Sequence, residues 1–230
     1  MRPGTGEIVV WTAALDGEGV RDWLAPQERA RADLAIDPQE RRRRICARSV
    51  LRHILAAYVG APPGELAFVT EFHGKPRLVN GPQFNLSHSG DIMMLAICAD
   101  DPVGLDVDRA GRLDSDWSAV TNRTFSEGER AQLLLMPEAE RPDAALRGWV
   151  RKEAYAKARG AGFAYGFTSF TVRLDAGGDD ALLVADDKDG GAVAAWRLRD
   201  LVSPPGFAAS LAHAGSARAI HYRDYRELAA

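Results

Sequence analysis

Ile92-Met93-Met94-Leu95-Ala96-Ile97-Cys98-Ala99-Asp100-Asp101-Pro102-Val103-Gly104-Leu105-Asp106-Val107-Asp108 holds two short apolar runs separated by an acidic, proline-containing break. The first run, Ile92 to Ala99, is too short for an independent helix and too apolar for a loop, and it reads as a buried strand. The second, Val103 to Val107, alternates and also reads as a strand. Asp100-Asp101-Pro102 between them divides the chain. On its amino-terminal side come a strand at Ile8–Trp11, a polar helical stretch from Arg21 to Ile36, a helix from Pro38 to about Val59, and short strands at Leu66–Phe72, Arg77–Val79 and Gln83–Leu86. Asp37-Pro38 supplies an N-cap followed by proline at the first helical position, and Gly60 with Pro62-Pro63 ends that helix. Beyond the break, helices fall at Ser115–Thr124, Ser126–Leu135 and Pro142–Arg159, stopped by Gly160 and Gly162, before strands at Phe170–Leu174, Ala181–Ala185, Val193–Leu198 and Phe207–Ala212. Gly177-Gly178-Asp179-Asp180 is turn chemistry. Strands come in runs, not in alternation with helices, so the fold class is α+β. The plan occurs twice, which predicts two similar lobes, residues 1–101 and 102–230.

At 230 residues, 46% hydrophobic and 27% charged, the chain has the make-up of a soluble globular protein. A net charge of −3 gives no global attraction to nucleic acid or an anionic membrane. No apolar stretch is long enough for a signal h-region or a membrane span, so a cytoplasmic location is expected. Cys46 and Cys98, the two cysteines, lie in a helical and a strand pattern without metal-ligand spacing and read as buried thiols.

Four clusters could carry chemistry. Asp106 and Asp108 stand two apart, so both point to one face of their strand while Leu105 and Val107 face the core. Paired carboxylates repel, and a cation, a proton or open solvent must relieve them; a wet strand end serves as well as a metal. Trp149, Glu153 and Lys157 lie at i, i+4 and i+8 on one helical face. A solvated Glu–Lys pair explains two of them, but the tryptophan indicates that this face meets another surface and that Glu153 and Lys157 are partly buried or line a cleft. Phe84-Asn85-Leu86-Ser87-His88-Ser89-Gly90 places hydroxyls, an imidazole and backbone N–H groups where a strand breaks into a turn. That is a phosphate-donor set, or simply a polar turn. In the run Arg41-Arg42-Arg43-Arg44, with Arg48 and Arg52, the helical wheel sends Arg41, Arg48 and Arg52 to solvent. It places Arg43 on the apolar stripe, where a guanidinium needs an anionic partner such as a phosphate.

Taken in order, Gly74-Lys75-Pro76, Phe84-Asn85-Leu86-Ser87-His88-Ser89-Gly90, Gly104-Leu105-Asp106-Val107-Asp108 and Trp149-x-x-Lys152-Glu153-Ala154-x-x-Lys157-x-x-Gly160-x-Gly162 resemble the signatures of the surfactin-type phosphopantetheinyl transferases, and Phe125-Ser126-x-x-Glu129 fits the same series. The resemblance implies a pseudo-dimer of two α+β lobes in one monomeric chain, with coenzyme A in the cleft between them. It implies an enzyme that moves the 4′-phosphopantetheine arm of coenzyme A onto a serine of an apo acyl or peptidyl carrier protein and releases 3′,5′-ADP. It assigns Mg²⁺ (or Mn²⁺) to Asp106, Asp108 and Glu153. Lys75, Pro76, Ser87 and His88 surround the nucleotide and its phosphates, Lys157 meets the pyrophosphate, and Arg43 meets the 3′-phosphate, joined by Arg29 or Arg31. Glu153 and Lys157 are the catalytic pair, and exposed arginines such as Arg48 or Arg123 meet an acidic carrier. One departure stands out: the second acid of the pair is commonly Glu in the family, and Asp108 is one methylene shorter, which puts its direct ligation in question. A coenzyme A sensor would need neither Glu153 nor the paired aspartates, and a two-metal phosphoesterase would need more ligands than three acids and one separate histidine.

Overall fold

A computed structural model describes residues 4, 6–177 and 181–229; the turn at Gly177–Asp180 lies outside the described residues apart from Gly177. The elements are β1 (Glu7–Ala14), α1 (Pro26–Asp33), α2 (Pro38–Val59), β2 (Phe68–Thr70), β3 (Pro76–Leu78), β4 (Gln83–Ser89), β5 (Ile92–Cys98), β6 (Val103–Arg109), α3 (Trp117–Thr124), α4 (Glu127–Leu135), α5 (Arg141–Ala158), β7 (Phe170–Val172), β8 (Leu183–Asp186), α6 (Ala192–Ala195), β9 (Trp196–Asp200), β10 (Phe207–Ala214), β11 (Ala219–Asp224) and α7 (Arg226–Ala229). The class is α+β. A four-stranded sheet runs β11-β1-β5-β4, a three-stranded sheet runs β6-β10-β9, and β2-β3 and β7-β8 are two-stranded ribbons.

The caps of α2 are those that the sequence announces. The Asp37 carboxylate accepts from the N–H groups of Gln39 and Glu40 at 3.2 and 3.1 Å, and Gly60 closes the helix at φ 71°. The stripe Ala47, Val50, Leu51, Ile54, Leu55 and Tyr58 packs on one face of the larger sheet, against Val9, Trp11, Leu95 and Ile97. The indole N–H of Trp11 donates to the Tyr58 hydroxyl at 3.0 Å. Alternation then sends Ile8, Val10, Met94, Ala96 and Cys98 to a second core shared with Val103, Leu105, Val107, Ala209 and Leu211 of the smaller sheet. The two sheets thus share a core, with α2 packed on the larger one. On the smaller one lies α5, whose Ala154, Tyr155, Ala156 and Ala158 pack with Leu198 and Ala212 in a third core.

Several expectations are corrected. The stretch from Arg21 to Ile36 is a single 3-10 turn at Arg21–Trp23 followed by α1. Residues 192–195 are helical, and the strand expected there starts at Trp196. Ser87, His88 and Ser89 continue β4 to its end, paired with Met94, Met93 and Ile92, so the polar cluster is strand and the turn follows it. Arg52 is not solvated but 1% exposed. Its Nε donates to Glu28 at 2.8 Å, its Nη1 donates to the carbonyls of Pro63 and Leu66, and its guanidinium lies over the Phe68 ring. The sheets change over at Asp101-Pro102, except that β11 returns to pair in parallel with β1.

Candidate active site

Gly104, Asp106 and Asp108 share one face of β6, opposite the apolar face of Val103, Leu105 and Val107. A Cβ on Gly104 would lie 2.2 Å from the carbonyl oxygen of Ala154 and 2.2 Å from the N of Ala158. Glycine therefore lets α5 lie directly on β6, and that approach brings the next two residues of the face to Glu153 and Lys157. Asp106 is 5% exposed, Asp108 6% and Glu153 8%; a wet strand end is excluded.

The aspartates are held from both sides. Ser87 Oγ donates to Asp106 Oδ1 and Ser89 Oγ to Asp108 Oδ1, each at 2.7 Å, and the side-chain oxygen of Asn85 accepts from the Leu105 N–H at 2.7 Å. Asn85, Ser87 and Ser89 are spaced by two and so share one face of β4, where their side chains join the two sheets in place of a backbone ladder. Lys157 Nζ stands 2.6 Å from Asp106 Oδ1 and 3.2 Å from Ser87 Oγ. Arg112 Nη1 pairs with Asp108 Oδ2, and its guanidinium lies over the Trp149 ring.

Ser87, His88, Ser89, Asp106, Val107, Asp108, Arg112, Trp149, Glu153 and Lys157 line one cavity of about 380 Å³. Burial pushes the Glu153 carboxyl up to about 7; Lys157 opposes this, and the charge of Asp106 adds to it. Burial also raises Asp106, against the pull of Lys157. The three carboxylates are hard oxygen donors of the kind Mg²⁺ takes. As they stand, with Lys157 and Arg112 paired to the aspartates, no three His, Cys, Asp or Glu side chains among the described residues are set to hold a metal.

His88 also lines a second cavity of about 290 Å³, with Glu28, Arg31, Ala32, Glu40, Arg44, Ala47, Arg48 and Leu86. Desolvation holds its imidazole below the ordinary value, and the charges of Lys157, Arg48 and Arg44 act the same way. Arg48, expected in solvent, is half-buried here. Arg43 is elsewhere: its Nε donates to Asp91 at 2.7 Å, so the anion that its position calls for is supplied by the chain itself. Lys75 donates to the Val103 carbonyl at 2.9 Å, and Lys75 and Pro76 line neither cavity. Burial lowers the Lys75 ammonium to about 8. A further cavity of about 680 Å³, walled by Trp23, Cys46, His53 and Tyr225 among others, contains none of the residues singled out by the motifs.

A model of the 4′-phosphopantetheinyl transferase superfamily matches residues 102–212. The chain is 36% identical over 172 residues to the 4′-phosphopantetheinyl transferase psf-1 of Bacillus pumilus, a match covering 74% of this chain and 72% of that one. It is 34% identical over 168 residues to the 4′-phosphopantetheinyl transferase HetI of Nostoc sp., covering 69% and 70%. The chain belongs to the 4′-phosphopantetheinyl transferase superfamily. The Bacillus subtilis 4′-phosphopantetheinyl transferase Sfp is a relative at 26% identity over 175 residues, covering 74% of this chain and 75% of its own. A holo-(acyl-carrier-protein) synthase from Bacillus anthracis, solved in complex with CoA (3′,5′-ADP), overlaps 50% of this chain and 96% of its own at 22% identity and a TM-score of 0.40. The enzyme class and the surfactin-type resemblance read from the motifs are borne out.

Within this transferase, two contributions escape a reading by motif alone. Arg112 stands outside every signature, and the turn after β6 brings it back onto Asp108. Lys152 lies inside a signature but forms no part of the cavity: its ammonium is fully buried, 2.8 Å from Glu129, and donates to the carbonyls of Phe167 and Phe170. Glu129 in turn accepts from the N–H groups of Ser126 and Val172 at 2.6 and 2.7 Å. The Phe125-Ser126-x-x-Glu129 series therefore caps α4 and ties it to α5 and β7. No helix among the described residues is long and apolar enough to cross a membrane.

Proposed function

We propose that this cavity transfers the 4′-phosphopantetheine moiety of coenzyme A to a serine hydroxyl of an apo acyl or peptidyl carrier protein, releasing 3′,5′-ADP. The observation that carries the reading is the meeting of Asp106 and Asp108 on β6 with Glu153 and Lys157 on α5, beside a histidine shared with an arginine-walled cavity. Asp106, Asp108 and Glu153 are the acid set for Mg²⁺ (or Mn²⁺), which when bound neutralises charge on the pyrophosphate. In the transfer, the serine oxygen bonds to the phosphorus on the pantetheine side. The bond from that phosphorus to the bridging oxygen breaks, and the bridging oxygen leaves on 3′,5′-ADP. Glu153, beside the metal site, takes the serine proton, directly or through a water. Lys157 leaves Asp106 for the pyrophosphate and stabilises the departing oxygen.

His88 lies between the two cavities and Ser87 lines the first. The 3′-phosphate belongs with Arg31, Arg44 and Arg48 beyond His88, which wall one cavity that Arg43 does not reach; Glu40 holds Arg44 at 2.8 Å much as Asp91 holds Arg43 at 2.7 Å. Lys75 and Pro76 approach the nucleotide from the β2-β3 ribbon. The enzyme works as a monomer of two lobes, 1–101 and 102–230, with β11 returned to the first, and an acidic carrier meets exposed arginines such as Arg123 at the mouth. Incubation with coenzyme A, Mg²⁺ and an apo carrier tests the reading by mass spectrometry. The carrier gains one phosphopantetheine; coenzyme A bound without transfer, or cleaved with the carrier unmodified, contradicts it.

A further inference from the structure

The two aspartates of β6 occupy equivalent places on one strand face but are committed to different extents. Asp108 uses both oxygens. Oδ1 accepts from Ser89 Oγ at 2.7 Å and from the Arg109 N–H at 2.9 Å, and Oδ2 takes the Arg112 guanidinium. Arg112 is fixed in turn, with its guanidinium carbon 5.4 Å from the centroid of the Trp149 ring, and Trp149 is one helical turn before Glu153 on α5. Asp106 receives both of its bonds, from Ser87 and Lys157, on Oδ1. Its Oδ2 accepts none among the described residues, and neither does the Glu153 carboxylate.

A carboxylate oxygen gives up a charge-assisted guanidinium bond only against a comparable gain. Asp108 and Asp106 have the same reach, so what separates them is that both oxygens of Asp108 are engaged and only one of Asp106 is. The open lone pairs belong to Asp106 and Glu153, one on each side of the β6–α5 contact.

We propose that Arg112 holds Asp108 out of direct metal contact, so that the divalent ion is ligated by Asp106 and Glu153 while Asp108 serves as the anchor of Arg112. Arg112 is then a positioning residue that keeps a positive charge at the rim of the cavity and limits the acid set to two direct ligands. The inference rests on the metal reading given under Proposed function and deepens it. It has a direct consequence: freeing Asp108 should add a ligand, so loss of a cation at position 112 should tighten metal binding.

Mn²⁺ alone, without coenzyme A, is titrated into the full chain and free Mn²⁺ is read by electron paramagnetic resonance. Asp106→Asn and Glu153→Gln should each weaken binding at least about tenfold, whereas Asp108→Asn should change it less than about threefold. Arg112→Gln should tighten binding about fivefold, Arg112→Lys should stay near the parent, and Asp108→Asn combined with Arg112→Gln should lose the gain. Arg112 is half exposed, so its variants should fold, and the tightening cannot come from unfolding. Weakening by Asp108→Asn equal to that by Asp106→Asn, or Arg112→Gln binding no tighter than the parent, overturns the inference and leaves the metal reading standing. Mn²⁺ binding unchanged in Asp106→Asn and Glu153→Gln overturns the metal reading and the inference with it.

Discussion

Lys157 Nζ lies 2.6 Å from Asp106 Oδ1, joining the last turn of α5 to the middle of β6 across 51 residues of chain. The ammonium pairs with the aspartate, where it offsets part of the charge of three gathered acids. In the proposed reaction its task is on the pyrophosphate. Lys157→Ala should therefore lower kcat by about 10²-fold, with a smaller change in KM for coenzyme A, because the charge matters most as the phosphate departs. Steady-state kinetics decides this: a change in KM alone would make Lys157 a binding residue.

Asp106→Ala should abolish transfer and leave the fold intact. The side chain faces the cavity, not the apolar core, and Ser87 and Lys157 retain access to water from the cavity. Circular dichroism and a transfer assay at saturating Mg²⁺ check the two halves; retained turnover contradicts the role of Asp106.

Gly104→Ala tests how the site is assembled. Its Cβ would collide with the backbone of α5 at Ala154 and Ala158, so the helix must move away from β6, taking Glu153 and Lys157 with it. Stability should fall by roughly 1–3 kcal/mol, and transfer should drop further than the loss of folded protein explains. Urea unfolding and activity measured on the same samples separate the two effects.

The buried pair of Lys152 and Glu129 should behave differently. Lys152→Met leaves the buried Glu129 carboxylate without its counter-charge, held only by backbone N–H groups, and should cost about 3–5 kcal/mol. Adding Glu129→Leu should recover part of that loss, although the N–H groups of Ser126 and Val172 then lack their acceptor. A double-mutant cycle in urea measures the coupling; additive losses would contradict a direct pair.

Lys75 gives a prediction in pH. Burial lowers its ammonium to about 8, so the charge is present below that value and lost as the pH rises through it. If that charge serves a coenzyme A phosphate, kcat/KM for coenzyme A should decline on the alkaline side of about 8, and Lys75→Arg, which stays charged, should remove this limb. An unchanged limb in the arginine variant assigns it to another group.

Much of the site was legible because it depends on local periods. Spacing by two put Asp106 and Asp108 on one strand face, spacing by four put Glu153 and Lys157 on one helix face, and Trp149 showed that the helix face meets a surface. The caps of α2 were legible in Asp37-Pro38 and Gly60 for the same reason. What escaped depends on partners distant in the chain. A helical wheel cannot show that Glu28 and the carbonyls of Pro63 and Leu66 surround Arg52, or that Asp91 supplies the anion for Arg43. Ser87 to Ser89 have turn composition, yet they continue β4 because Met94, Met93 and Ile92 pair with them and Asp106 and Asp108 accept the serine hydroxyls. The return of β11 to β1 left no mark in local pattern at all.

The central claim is that acids of β6 and α5 surround one divalent ion at the pyrophosphate of coenzyme A. A crystal soaked with coenzyme A and Mn²⁺ and measured for anomalous scattering tests it most directly. The account predicts a single manganese peak between Asp106 and Glu153, touching the pyrophosphate. A pyrophosphate bound in that cavity with no manganese beside it, or a manganese peak away from both acids, would contradict it.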